Sequence, residues 1–233
     1  MNFTMTQLTP EDITAIWLSL KVALTATALS LPFGFAVAWL LVFKSLRGKV
    51  VVEVLVNLPL TLPPVVIGYF LLLLFGKNGW AGKLLAEWGV ELIFTWKAAV
   101  IASAVVGFPL LVRSIRLGME SIDRKLIEAS RSLGASWYDS LLTIILPLSM
   151  KGIFAGASLM FARSLGEFGA TIIVAGNIPG VTQTIPLAIY DYASSPSGTA
   201  MALSLCLVSV IISVVVLSLH EMLGKQLQRS TEL

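Results

Sequence analysis

Long uncharged apolar runs, separated by short polar stretches, dominate the pattern along this chain. Residues 22–43 form a run of 22 without a charge, and residues 54–75 form another of 22. The run at 98–112 has only 15 residues, but Phe94 and Trp96 extend it and Lys97 can snorkel to the interface. Residues 152–175 are apolar apart from Arg163 and Glu167, and 200–219 is an uninterrupted 20. A helix needs about 20 apolar residues to cross bilayer hydrocarbon. The pattern therefore predicts an all-α integral membrane protein with five transmembrane helices, at about 16–43, 53–75, 95–115, 150–175 and 199–220. They form a single domain over 1–233. The first run opens on Thr9-Pro10-Glu11-Asp12, which supplies a capping hydroxyl, a proline at the first helical position and two acids in the first turn. The second contains Pro59, Pro63 and Pro64, each of which removes a backbone donor and crowds the turn before it. That span is expected to be kinked or locally opened, either for packing or as a broken helix beside a translocation path.

The longest polar interruption is 120–147, and its pattern predicts two short helices. Ser121 or Asp123 can cap the first, in which Ile122, Leu126, Ala129/Ser130 and Leu133 recur at helical spacing. Gly134 follows where a left-handed C-terminal residue belongs. Ser136-Trp137-Tyr138-Asp139 reads as a capping box opening the second helix. Leu141, Leu142, Ile145 and Leu146 carry that helix back towards the membrane, and Pro147 is expected to end it.

Composition agrees with the pattern. The chain is 57% hydrophobic with a mean hydropathy of +0.90, and only 12% is charged, against about a quarter in soluble domains. The net charge of +3 is small and gives no nucleic-acid signature. Where the basic residues fall is more informative. With the N-terminus outside, eleven lie in inside segments and at most four in outside ones. The positive-inside rule thus places the N-terminus outside, and residues 120–147 and the C-terminus in the cytoplasm. The lone Cys206, within an apolar run, forms no intrachain disulfide or thiolate cage and reads as a small buried hydrophobe.

Catalytic chemistry is missing from the sequence. The nearest approach to a phosphate-binding loop, at 77–84, has Lys77 where glycine is needed and Leu84 where Ser/Thr is needed, and it lies on the outside. The single histidine, His220, reads as interfacial, with no nucleophile–base set and no metal-ligand cluster around it. No catalytic, cofactor or metal residue is expected. Arg163 and Glu167 stand out instead, because ionisable groups inside a span are costly and usually functional. Four residues apart, they are expected to share one helix face, either as a buried ion pair or as the lining or gate of an anion path. Gly152 and Gly156 form a small-xxx-small packing pair.

Glu128-Ala129-Ser130, three residues, Gly134, nine residues and then Ile144-x-Leu146-Pro147 resembles the EAA loop of permease subunits of bacterial ABC importers. That family's pattern is Glu-Ala-Ala, three residues, Gly, nine residues, Ile-x-Leu-Pro; Ser130 is the one departure. The resemblance implies that 120–147 is a cytoplasmic coupling loop, with Glu128, Ala129, Ser130 and Gly134 docking onto a separate ATPase subunit that binds ATP and magnesium. It further implies a homodimer with the path along its two-fold axis and a periplasmic binding protein as partner, in a multi-pass bacterial inner-membrane protein. A second set of stretches resembles oxyanion permeases, those for molybdate above all: Phe161 to Thr171, Asn177-Ile178-Pro179-Gly180, Thr184-Ile185-Pro186, Leu58-Pro59 through Tyr69 and Arg113 to Arg116. Tungstate and sulfate permeases share parts of these. The path or gate is expected at Arg163, Glu167 and Thr171. Trp80, Trp88, Asn177, Thr182, Gln183 and Thr184 are expected to meet the periplasmic partner. An ion-driven secondary anion transporter is the alternative from another class, and it leaves the cytoplasmic helix–Gly–helix unexplained.

Overall fold

A computed structural model of the chain describes residues 8–45 and 47–229, apart from the side chains of residues 220, 223 and 225–229. The expected interfacial role of His220 lies outside the described residues. All regular structure among them is helical. Helix α1 (Pro10–Phe43) begins in the predicted box: the Thr9 hydroxyl accepts from the Asp12 N–H at 3.2 Å, and the Asp12 carboxylate accepts from the Thr9 N–H at 2.7 Å. The same carboxylate accepts from the Tyr192 hydroxyl at 3.0 Å, and Ser19 Oγ accepts from the Ile185 N–H at 2.8 Å. These two bonds fasten α10 (Ile185–Ala193) to the first half of α1.

The second apolar run is not one helix. α2 (Lys49–Thr61) and α3 (Pro64–Phe75) meet at a bend of 113°. Pro63 is extended, with φ −56° and ψ 133°, and Pro64 opens α3. Neither proline can donate to the turn before it, so the helix stops there and restarts. The span expected at 53–75 is therefore a broken pair. A short helix α4 (Trp80–Glu87) then leads to α5 (Trp96–Glu120).

After α5 come α6 (Arg124–Ser132) and α7 (Trp137–Ser140). The sequence predicts that Pro147 ends the second of these helices. Instead α7 runs through a π-turn (Leu141–Ile145) into α8 (Leu146–Leu165) as one 29-residue helix. The π-turn closes the Leu146 N–H onto the Leu141 carbonyl. This widening, just ahead of Pro147, relieves the ring's clash with the preceding turn and lets the helix continue. The fourth span also differs from the expected 150–175. It ends at Leu165 with Gly166 as its cap, and a separate α9 (Gly169–Val174) follows. The last helix, α11, covers Thr199–Arg229. Among the described residues four helices are long and apolar enough to cross a membrane, and the count reaches five if the bent α2–α3 pair is one crossing.

The centre is the α5–α8 pair, with α1 against both. Their backbones nearly touch: a Cβ on Gly152 would lie 2.9 Å from Gly118 Cα and 2.7 Å from the Ser114 carbonyl oxygen. Close approach through small residues is how helices gain packing energy in lipid, where no hydrophobic drive separates helix from solvent. Leu111, Ile115, Met119 and Met160 fill the surrounding core.

Candidate functional site

At the end of the molecule that the charge bias places in the cytoplasm, α6 and α7 form an elbow. The Asp123 side chain caps α6 by accepting from the Lys125 N–H at 3.0 Å. Its last turn closes through Leu133 N–H to Ala129 O (3.1 Å) and Ala135 N–H to Ser130 O (3.1 Å). Gly134 makes this possible by taking φ +89°, where a side chain would be strained. The Ser136–Asp139 capping box then starts α7. α6 buries no residue of its own. Ile122, just ahead of it, and the half-buried Ile127 tie it to the core, while Leu133 stands 90% exposed. The elbow is braced against α1 by Trp137, whose ring meets Trp39 edge-on at 5.0 Å.

Of the four residues carried by the loop motif, Glu128, Ala129 and Gly134 lie on the open surface. Ser130 turns inward. Its hydroxyl donates to the Ile127 carbonyl at 3.0 Å and lies 2.8 Å from Ser140 Oγ. Ser140 is itself buried and donates to the Ser136 carbonyl. The hydroxyl that departs from the motif thus bridges α6 to α7 across the glycine turn.

The polar pair lies at the other end of α8. Arg163 is in the last turn of that helix and Glu167 lies beyond its end, so the two do not share a continuous helix face as the spacing predicts. They pair all the same, Arg163 Nη1 lying 2.8 Å from Glu167 Oε2. The Glu167 side chain is only 1% exposed and that of Arg163 31%. Glu167 Oε1 accepts from the Ala170 N–H at 2.8 Å, capping α9. The cation therefore sits at a helix C-terminus and the anion at a helix N-terminus, the favourable sense for both backbone dipoles. Thr171 is buried within α9. That helix packs on α3 at close range: a Cβ on Gly68 would lie 2.8 Å from the Ala170 carbonyl oxygen, and Pro64 Cβ lies 3.0 Å from the Cβ position of Gly169. Both interrupted helices therefore meet at their breaks, beside the ion pair.

The outer segments divide. Trp80 and Trp88 are 75% and 83% exposed, as a docking surface requires. Thr182, Gln183 and Thr184 are buried, and Thr182 Oγ1 accepts from the Ile178 N–H at 3.1 Å. They hold an internal turn and cannot meet a partner as expected. A polar clip also went unread in the sequence. Arg116 reaches Glu53 and Glu120, each at 2.7 Å, and Arg113 Nε donates to Asn57 Oδ1 at 2.6 Å. These contacts hold α2, which buries no residue, onto α5. The signal was available: Glu53 and Asn57 are spaced for one face of a helix at the start of an apolar run.

Residues 30–229 match the family model for the binding-protein-dependent transport system inner membrane component. The chain is 51% identical over 219 residues to the molybdenum transport system permease protein ModB of Haemophilus influenzae, covering 94% of this chain and 96% of that one. It is 47% identical, with the same coverage, to the ModB protein of Escherichia coli K12. The sulfate transport system permease protein CysT of Salmonella typhimurium is 34% identical, over 85% of this chain and 74% of that protein. Among solved structures, a bacterial ABC transporter involved in import of the acidic polysaccharide alginate superposes with a TM-score of 0.76 at 16% identity, covering 94% of this chain and 80% of the other. The shared architecture and the family match over 30–229 agree, and the chain belongs to the binding-protein-dependent transport system inner membrane components, the permease subunits of ABC importers.

Proposed function

We propose that this chain is the molybdate-translocating subunit of an ATP-driven importer. Its similarity to ModB proteins over nearly the whole chain supports molybdate as the cargo, with tungstate and sulfate as competing tetrahedral anions. The observation that carries the mechanism is the exposed elbow at Glu128–Gly134, joined at the Ser136 cap to one unbroken helix, Trp137–Leu165, whose last turn bears Arg163. A separate cytoplasmic ATPase subunit docks on Glu128, Ala129 and Gly134 and hydrolyses ATP, while Ser130 keeps the elbow rigid. A periplasmic binding protein delivers the anion, and two copies of this chain enclose the path on their two-fold axis. Closure of the ATPase pair moves the elbow, and with it the Arg163 end of α8. Arg163, paired with Glu167, attracts an oxyanion only weakly, and a conduit requires that its sites release as readily as they bind.

Reconstituted uptake tests the proposal. Molybdate accumulation in proteoliposomes should require the ATPase subunit, the binding protein and ATP together; accumulation by this chain alone contradicts it. Glu128→Lys should insert normally and uncouple ATP hydrolysis from uptake. A fully coupled Glu128→Lys transporter removes the docking role. Unimpaired uptake by a normally assembled Arg163→Gln removes the gating role.

A further inference from the structure

Two clefts along the α1–α2 hairpin have no part in the function above. The first, about 610 Å³, opens where α1 leaves its apolar run and α2 begins. Lys44, Arg47, Lys49 and Arg124 line it together with Val42 and Phe43, and no acid does. Among the described residues, Arg47, Lys49 and Arg124 have no hydrogen-bond or ion-pair partner for their side chains. Lys44 only overhangs the Trp39 ring, at 5.4 Å. Lys49 also occupies the first turn of α2, where a cation opposes the helix dipole unless an anion lies beside it.

The second cleft, about 380 Å³, is apolar and lies between the same two helices and α5. Phe33 of α1, Leu55 and Pro59 of α2, and Val105 and Phe108 of α5 line it. From Phe43 to Phe33, and equally from Lys49 to Pro59, is ten residues, or about 15 Å of helix at 1.5 Å per residue. That is about half of a hydrocarbon core of roughly 30 Å, the depth of one leaflet. Polar cleft and apolar groove are thus spaced as the head and tail of a single lipid molecule. Val50, Val51 and Val54, exposed at the start of α2, continue an exposed apolar surface between them.

We propose that the α1–α2 hairpin holds one anionic phospholipid of the cytoplasmic leaflet. Its phosphate lies among Lys44, Arg47, Lys49 and Arg124, and an acyl chain occupies the groove floored by Ala104 and Val105. Basic pockets between membrane helices on the cytoplasmic side are suited to anionic headgroups. A free phosphate, a nucleotide or an oxyanion would use the cations and leave the groove unexplained. The ATPase subunit would cover the cations and likewise leave the groove unexplained.

The test is retention of phosphatidylglycerol by the purified chain, measured by native mass spectrometry and by titration of a fluorescent phosphatidylglycerol into phosphatidylcholine nanodiscs. The wild type should retain one phosphatidylglycerol in preference to phosphatidylcholine. The quadruple variant Lys44→Gln, Arg47→Gln, Lys49→Gln and Arg124→Gln should bind at least tenfold more weakly. The charge-keeping set Lys44→Arg, Arg47→Lys, Lys49→Arg and Arg124→Lys should bind like the wild type, which separates charge from misfolding. Ala104→Phe, which fills the groove without touching a charge, should also weaken binding several-fold. Four results overturn the proposal. One is an equal loss on neutralising Lys125, Arg131 and Lys151, which lie outside the cleft. Another is no loss with Ala104→Phe. The third is displacement of the lipid by inorganic phosphate, ATP or molybdate at millimolar concentration, and the fourth is its displacement by the ATPase subunit.

Discussion

Between α2 and α3 the helix is interrupted by two prolines, whereas between α8 and α9 it is interrupted by Gly166 and a buried carboxylate. The first break is imposed by covalent structure: Pro63 and Pro64 cannot donate, whatever surrounds them. The second is conditional. Gly166 permits the turn, but Glu167 holds it by pairing with Arg163 on one side and capping Ala170 on the other. One break is a fixed corner and the other an electrostatic joint, and they pack together where Gly68 meets Ala170. If the proposed path runs between them, its width changes at the responsive side alone.

The largest effect that could break this contrast is expected from Glu167→Ala. It leaves Arg163 unpaired and α9 uncapped; because the Arg163 side chain is 31% exposed, the loss should fall at or below the lower end of the roughly 3–5 kcal/mol seen when a fully buried pair is broken. Thermal unfolding in detergent should show a large drop, with a smaller one for Glu167→Gln, which still accepts from Ala170. An unchanged Tm for Glu167→Ala would make the second break as self-sufficient as the first. Gly68→Ala comes next. Its methyl meets backbone at 2.8 Å, and overpacking of this kind costs about 1–3 kcal/mol; the same melting experiment reads it, and a neutral result would mean that the two breaks are not in firm contact. Ser130→Ala supplies a comparison outside the membrane, where loss of the bridge to Ser140 should cost about 0.5–1.5 kcal/mol. Faster amide exchange confined to 129–140 would report it, and exchange spreading to α9 would show that elbow and joint are one cooperative unit. Pro64→Ala should be smallest, below about 1 kcal/mol, because proline at a first helical position gives up only a donor that has no partner there. A large loss would show that the corner depends on this ring rather than on Pro63.

The two breaks also show what the sequence discloses. The Pro63-Pro64 pair removes two consecutive donors, so the break there was readable, although not its 113° angle, whereas Pro59 lies inside α2. The elbow was readable residue by residue, because caps and a left-handed glycine are local devices with fixed spacing. Glu167 misled, because an acid within an apolar stretch looks like a mid-span charge. Only the fold reveals that the helix has ended two residues earlier. Pro147 misled in the opposite sense: a proline that normally ends a helix is carried by a π-turn whose sequence, Leu-Leu-Thr-Ile-Ile, gives no local sign of it. Thr182–Thr184 looked like surface because they are polar, yet they are buried where Ile185, next in the chain, bonds to Ser19 of the distant α1.

The unbroken helix from Trp137 to Leu165 has a mechanical consequence. Its 29 residues make a rod about 43 Å long at 1.5 Å per residue. With its fulcrum at the Gly152–Gly118 contact, the rod has arms of about 22 and 20 Å, so a tilt of about 10° moves each end by roughly 3–4 Å. In the coupling proposed above, a stroke at the elbow end would thus reach the Arg163 end at nearly its full size and in the opposite direction. Had Pro147 broken the rod, torque from the elbow would have dissipated in a flexible joint before reaching Arg163. The π-turn that spares the helix is what makes it a lever.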